Sequence, residues 1–247
     1  MMTSQNPVAL ITGAARRVGA VIARTLHGAG YDVALHCHRS RTELDALIAD
    51  LESARKNSTL ALQADLIDSA RLPELVENTV ARFGKLDALV NNAATFHPTP
   101  FGTITAPQCD EFFATNARAP LLLAQAAATH LQRSQGSIVN IIDIYAQHPL
   151  PGYLPYCVSK AALAMATVAL AQQLGPDVRV NGVAPGNVLW SEQSIEDEAM
   201  ATILQRTALK RQGSPRDIAG AVLWLLRDAT YVTGQILRVD GGRGLSI

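Results

Sequence analysis

The chain has 247 residues, with 21 basic and 21 acidic side chains, 48% hydrophobic and 17% charged residues. That size and apolar content suit one α/β domain with a single sizeable core. The balanced charge, without a polybasic run, argues against a nucleic-acid or anionic-membrane surface and for a small-molecule partner. Cys37, Cys109 and Cys157 form no Cys-x-x-Cys pair, so reduced thiols, no metal site and a cytoplasmic location are expected. The polar start at 1–7 runs straight into a short apolar segment, unlike a signal peptide, and no membrane-spanning stretch is expected.

Seven short apolar runs, at 8–12, 32–36, 59–63, 87–91, 137–142, 179–184 and 235–239, read as strands. Between them, helical periodicity is expected near 17–30, 42–56, 68–83, 109–131, 155–174 and 215–226. Strands that are apolar on both faces and separated by helix-length connections predict a doubly wound parallel sheet covered on both sides, in one domain over 1–247.

The first strand ends in Thr12-Gly-Ala-Ala-Arg-Arg-Val-Gly19. Gly13 and Gly19 permit a tight turn and close approach of backbone to a pyrophosphate, and the helix that follows offers free N–H groups, so Gly13, Arg16, Arg17, Val18 and Gly19 are candidate cofactor residues. Cations in a first helical turn oppose the macrodipole unless an anion sits there, although two solvated arginines are the plainer alternative. The second strand ends in His36-Cys-His-Arg-Ser40. A carboxylate hereabouts would suit a ribose 2′-hydroxyl, whereas Arg39 with His38 and Ser40 suits the 2′-phosphate of NADPH. After the third strand, Asp65 and Leu66 are candidates for the adenine end, with Asp65 either accepting from the adenine amino group or capping the next helix.

Further along, Tyr156 and Lys160 stand four apart in Pro155-Tyr-Cys-Val-Ser-Lys160, which puts both on one face of a helix. A fixed ammonium beside a phenol favours the phenolate and is expected to bring the tyrosine into useful range as a proton donor. The stretch 187–213 follows a strand end, is richer in polar residues, and is expected to cover the substrate.

Taken in order, the glycine turn, Asn91-Asn-Ala-Ala94, Asn116, Tyr156 with Lys160, Pro185-Gly186 and Asp240-Gly-Gly242 resemble the short-chain dehydrogenase/reductase family over the whole chain. The resemblance implies a Rossmann fold, a nicotinamide cofactor, a homotetramer, Tyr156 as acid or base, Lys160 on the ribose, and Asn116 holding a relay water. It also implies cofactor contacts from Asn92, Ala93, Pro185, Gly186 and Val188. Two departures from the wider family point to its pteridine reductase branch: Arg17 stands where a glycine is usual, and Asp143 where a catalytic serine is usual. That branch also shares the His-x-His-Arg-Ser pocket and the loop 91–100, which implies that Phe96 stacks on a pterin, with Tyr153 and Leu150 near it. Ala94 and Trp190 differ from residues common at those places, a serine and a threonine respectively.

Reducing a 7,8-dihydropterin sends a hydride to carbon and a proton to nitrogen, so an anionic side chain beside the tyrosine is tolerable there. A carbonyl reductase instead stabilises a growing alkoxide, which Asp143 would repel. Asp143, Tyr156, Lys160 and Asn116 are therefore the candidate catalytic set, and Arg17, Phe96, Asp143, Tyr156 and Tyr153 the candidate substrate contacts. Reduction of dihydrobiopterin, dihydromonapterin or dihydrofolate by NADPH is the expected activity. The alternatives are a carbonyl or 3-oxoacyl thioester reductase of the same fold and a non-catalytic NADP-sensing module.

Overall fold

The computed structural model describes residues 4–188 and 197–246. Its strands are β1 (Val8–Ile11), β2 (Asp32–Cys37), β3 (Thr59–Gln63), β4 (Ala88–Asn91), β5 (Ser137–Ile141), β6 (Arg179–Pro185) and β7 (Ile236–Val239). All pair in parallel in the order β3-β2-β1-β4-β5-β6-β7, which is the Rossmann arrangement the alternation of apolar runs and helical segments implied. The helices are α1 (Arg17–Gly28), α2 (Arg41–Ala54), α3 (Leu72–Phe83), α4 (Ala106–Phe113), α5 (Ala119–Ser134), α6 (Leu154–Leu174), α7 (Asp197–Gln205) and α8 (Pro215–Arg227).

Side chains alternate across the sheet with the two-residue period of a strand. In β1, Ala9 and Ile11 pack with Ile22 and Leu26 of α1 and Ile218 and Val222 of α8. Val8 and Leu10 face the other way, onto Leu75 and Val76 of α3 and Leu123 and Leu131 of α5. Every residue of β1, β2, β4 and β5 is buried, as expected for a sheet covered on both faces. The strand order reverses between β1 and β4, which opens a crevice at their carboxyl ends.

The structure departs from the sequence reading in three places. The helix expected at 109–131 is two, joined by a π-helical stretch at Ala114–Arg118. Pro120 has no N–H for the carbonyl of Asn116, four residues back, and its ring crowds that carbonyl, so the α ladder cannot run through. The first of the two helices starts earlier than expected because Thr105 and Gln108 form a reciprocal capping box. Within 187–213, α7 is a helix not foreseen. Finally, α6 is by length and composition apolar enough to cross a membrane, contrary to expectation, yet one side of it packs against β6 and carries the buried Tyr156 and Lys160.

Candidate active site

The crevice is built on a turn that only glycines can make. Gly13 has φ +64°, and a Cβ there would lie 2.9 Å from the Ala93 Cα; at Gly19 it would lie 2.1 Å from the Gly13 carbonyl oxygen. Strand ends β1 and β4 are sewn together around this turn. The Thr12 hydroxyl accepts the Asn92 and Ala93 N–H groups at 3.0 and 3.1 Å, and Asn92 Nδ2 donates to the carbonyls of Thr12 and Gly13 at 2.9 and 3.0 Å. Asn92 thus shapes the turn. His36, the first residue of the His-x-His-Arg-Ser motif, holds the turn from the other side: its Nδ1 accepts from the Gly13 N–H at 3.3 Å while its Nε2 lies 3.1 Å from the Ala64 carbonyl. Burial lowers its pKa to about 4, so the ring is neutral, with the proton on Nε2.

Helix α1 begins at Arg17, has no side-chain cap and carries no acid in its first turn. Its first N–H groups therefore suit an anion. Arg17 itself adopts φ +53°, the left-handed region in which glycine is at ease, which accounts for glycine being usual there. Arg16 lies 3.7 Å from Glu43, both well exposed.

From the turn a cleft of about 540 Å³ extends past His38, Arg39, Ser40, Asp65 and Leu66 to Ala93 and Thr95, a volume suited to a small ligand. His38 and Arg39 are exposed at its rim. Asp65 does not cap the next helical turn, which Asp68 caps; its Oδ2 lies 3.6 Å from His38 Nε2, and its Oδ1 accepts the Ile67 N–H at 3.0 Å. The tight glycine cradle, the uncapped helix start and the cation at the rim fit a dinucleotide with an additional phosphate.

Beyond the cleft, Asp143 and Tyr156 meet. The Tyr156 hydroxyl donates to Asp143 Oδ2 at 2.7 Å, and Asp143 Oδ1 accepts the Tyr145 N–H at 2.9 Å, capping a short 3-10 turn. Asp143 is therefore both a cap and the partner of the candidate acid. Burial raises its carboxyl pKa against the pull of these hydrogen bonds and Lys160. The expected tuning of the phenol by Lys160 is not what the structure shows: Tyr156, 4% exposed, is pushed well above 10 by burial and then by the Asp143 charge. Lys160 Nζ donates to the Ile141 carbonyl at 2.8 Å, and its own pKa is lowered to about 8 by burial. Burial first, and then the carboxylate at hydrogen-bond distance, raise the phenol, while the Lys160 ammonium lies 5.9 Å from the ring centre.

Asn116, fully buried in the π-helical stretch, spends its side chain on structure. Its Oδ1 accepts the Thr95 N–H at 2.8 Å, and its Nδ2 donates to the Thr95 carbonyl and the Ser159 hydroxyl. Ser159, also not anticipated, fastens that amide to α6 by donating in turn to the Tyr156 carbonyl at 2.7 Å.

Phe96 lies over this pair, 46% exposed. Its ring stacks on Tyr153 at 4.7 Å and 14° and meets Tyr156 edge-on at 4.7 Å. Phe96 and Tyr153 are thus together, as expected, but stacked on each other, so a flat substrate must use the open side of Phe96 or displace Tyr153. Leu150 packs against the same aromatic cluster and its N–H donates to Cys157 Sγ at 3.4 Å. His97 has a partner the sequence did not reveal, Glu111 at 3.4 Å. At the end of β6, a Cβ on Gly186 would lie 2.6 Å from Asp240 Cβ, so Pro185-Gly186 and Asp240-Gly-Gly242 are two sides of one close contact. Val188 is buried beside a second cleft, and Trp190 lies outside the described residues.

Comparison with known proteins agrees with this geometry. A family model described as enoyl-(acyl carrier protein) reductase matches residues 13–243. A protein of Streptomyces violaceoruber named as ketoacyl reductase 2 of the granaticin polyketide synthase is 38% identical over 98% of this chain and 97% of its own. Pteridine reductase 1 of Leishmania tarentolae is 34% identical over 100% of this chain and 99% of its own. A 3-oxoacyl-[acyl-carrier-protein] reductase of Staphylococcus epidermidis is 31% identical over 96% and 98%. With a glycine-cradled cleft leading to a buried tyrosine and its lysine, this chain belongs to the short-chain dehydrogenase/reductase family of nicotinamide-dependent oxidoreductases.

Proposed function

We propose that the protein reduces 7,8-dihydropterins to the tetrahydro form with NADPH. The observation that carries this reading is Asp143 at 2.7 Å from the Tyr156 hydroxyl, where an alkoxide-forming reductase would want a neutral donor. The nicotinamide, when bound, supplies a hydride to carbon. Gly13, Val18 and Gly19, at the start of α1, hold the pyrophosphate, and Arg39, with His38 and Ser40, holds the 2′-phosphate. Asp65, Leu66, Asn92 and Ala93 line the adenosine side, Lys160 reaches the ribose, and Pro185, Gly186 and Val188 back the nicotinamide. Arg17, Phe96 and Tyr153 position the pterin; of the segment at 187–213 expected to cover it, residues 189–196 lie outside the described residues. Tyr156 delivers the proton to the substrate nitrogen; Asp143, its carboxyl favoured by burial, restores the proton to the phenol. The protein works in the cytoplasm as a homotetramer.

The second reading is reduction of a 3-oxoacyl thioester, favoured by the two relatives named for ketoacyl and 3-oxoacyl reduction. The test is anaerobic NADPH oxidation with dihydrobiopterin, dihydromonapterin, dihydrofolate and a 3-oxoacyl thioester in parallel. Turnover confined to the pterins is expected. Turnover confined to the thioester would replace the first reading by the second, and tight NADPH binding with no turnover would favour a sensor. In the same assay Arg39→Ala should weaken NADPH while sparing NADH, by about tenfold for a lost charge-assisted contact.

A further inference from the structure

We infer that Asp143 regains its proton from solvent through a second cavity, separate from the dinucleotide cleft. This cavity, of about 180 Å³, is lined by Asp143, Gln147 and Arg238 among small apolar residues that include Ala146, Ala164 and Ala184. None of its lining is shared with the dinucleotide cleft. Gln147 and Arg238 are exposed, whereas Ala184 is 2% exposed, so the space leads from the surface down to the carboxyl. Water needs roughly 10–15 Å³ of such space and two to four polar partners. The volume holds several waters, and Asp143, Gln147 and Arg238 are the polar and charged residues of its lining. Each Asp143 oxygen has one protein partner, Tyr145 N–H or Tyr156 OH, and a carboxylate accepts about four hydrogen bonds, which leaves capacity for a water.

Asn116 commits its side-chain amide to Thr95 and Ser159 and Lys160 Nζ gives one of its three N–H groups to Ile141, so a route there would run through the Asn116 backbone carbonyl and Lys160, and the cavity at Asp143 is a separate way in. The second cavity avoids the dinucleotide cleft and therefore stays open when that cleft is filled. The titratable and charged groups around Asp143 are Tyr145 on the 3-10 turn, Tyr156, Cys157 and Lys160 on α6, and Arg238 of β7 across the cavity, with Arg243 of the C-terminal turn acting on Tyr145. In the step, the substrate atom takes the Tyr156 proton, the phenolic oxygen takes the Asp143 proton, and the carboxylate takes one from the water chain. Bulk solvent replaces that proton, and the electron pair comes with the hydride from the reduced nicotinamide. The inference rests on the reductase reading but holds for either substrate.

The test compares the first turnover with later ones in Ala164→Leu, which fills the cavity, and Gln147→Leu, which removes a polar group at its mouth. In both, the first hydride transfer should proceed within about twofold of the wild-type rate, because it spends the proton that the Tyr156 hydroxyl already carries. Later turnovers should slow by up to about a hundredfold, the lower end of a general acid's contribution, with an enlarged solvent deuterium effect. Later turnovers at the wild-type rate in both variants would overturn the inference, as would first and later turnovers slowed equally, which marks a packing defect at Tyr156. A wild-type protein inert toward every substrate would overturn the reductase reading and this inference together.

Discussion

Arg17 shows how a single position can work against the backbone for the sake of a charge. A side chain at φ +53° costs about 1–2 kcal/mol relative to the right-handed region, and glycine avoids that cost. Arg17→Ala should therefore be less stable than Arg17→Gly by about 1 kcal/mol in urea denaturation, although glycine gives back part of the gain through its freer unfolded chain. On the proposed reading, both variants should bind a dihydropterin and NADPH more weakly. Equal stability of the two would mean that the turn relaxes once the arginine is gone. The sequence announced Arg17, Asp143, Tyr156 and Lys160 because their chemistry is tied to position within recognisable spacings. It could not announce the direction of the Tyr156 shift, because that depends on burial and on a hydrogen bond between residues brought together by two different elements. The same holds for Ser159 and His97, whose partners are remote in sequence.

Strand β2 and the glycine turn are coupled by His36, and that coupling is sensitive to pH. The ring is neutral in the fold with a pKa of about 4, against 6.5 for a free histidine. Above pH 6.5 neither folded nor unfolded chain binds this proton, and the full stability is present. As pH falls below 6.5 the unfolded chain takes the proton first, so stability drops by about 1.4 kcal/mol per pH unit until the folded ring also protonates near 4. Between about pH 7 and 5 the wild type should lose roughly 2 kcal/mol more than His36→Gln, measured by denaturant unfolding, since the other titrating groups cancel in the comparison. Equal losses would show that His36 is not held neutral. At this scale the inner strands were legible because burial on both faces leaves uninterrupted apolar runs, whereas the edge strands β3 and β7, partly exposed, were legible only as short apolar runs alternating with helical segments. The broken helix at 114–118 carried its signal in Pro120, but a helical apolar pattern on both sides masked it. The helix α7 is short and lies in a polar stretch, where periodicity is weak.

Across the whole molecule, the apolar outer face of α6 asks for a covering. Its inner side packs on the sheet, yet Leu154, Val158, Met165 and Val168 are exposed, and their spacing of three, four or seven residues puts them in one stripe. Phe113 of α4 and Leu121 of α5 are exposed as well, as are Trp224 of α8, Leu237 of β7 and Tyr231 between them. These two groups lie on different elements, and a closed assembly with two kinds of two-fold contact, a homotetramer, would use both. A charge placed in the first stripe is the decisive probe, because Met165 is 67% exposed and its replacement leaves the core of the subunit untouched. If the chain assembles as the proposed tetramer, Met165→Glu should convert it to dimers in sedimentation velocity, since like charges meet across an isologous contact and cannot be solvated there. Because Tyr156 and Lys160 lie on the opposite side of the same helix, loss of that contact should also loosen the site and lower turnover, while NADPH binding in the separate cleft near β1 and β2 persists. A monomeric wild type would leave the membrane-like composition of α6 without the subunit contact proposed for it, and an unchanged tetramer in Met165→Glu would move the interface to Trp224, Tyr231 and Leu237 alone.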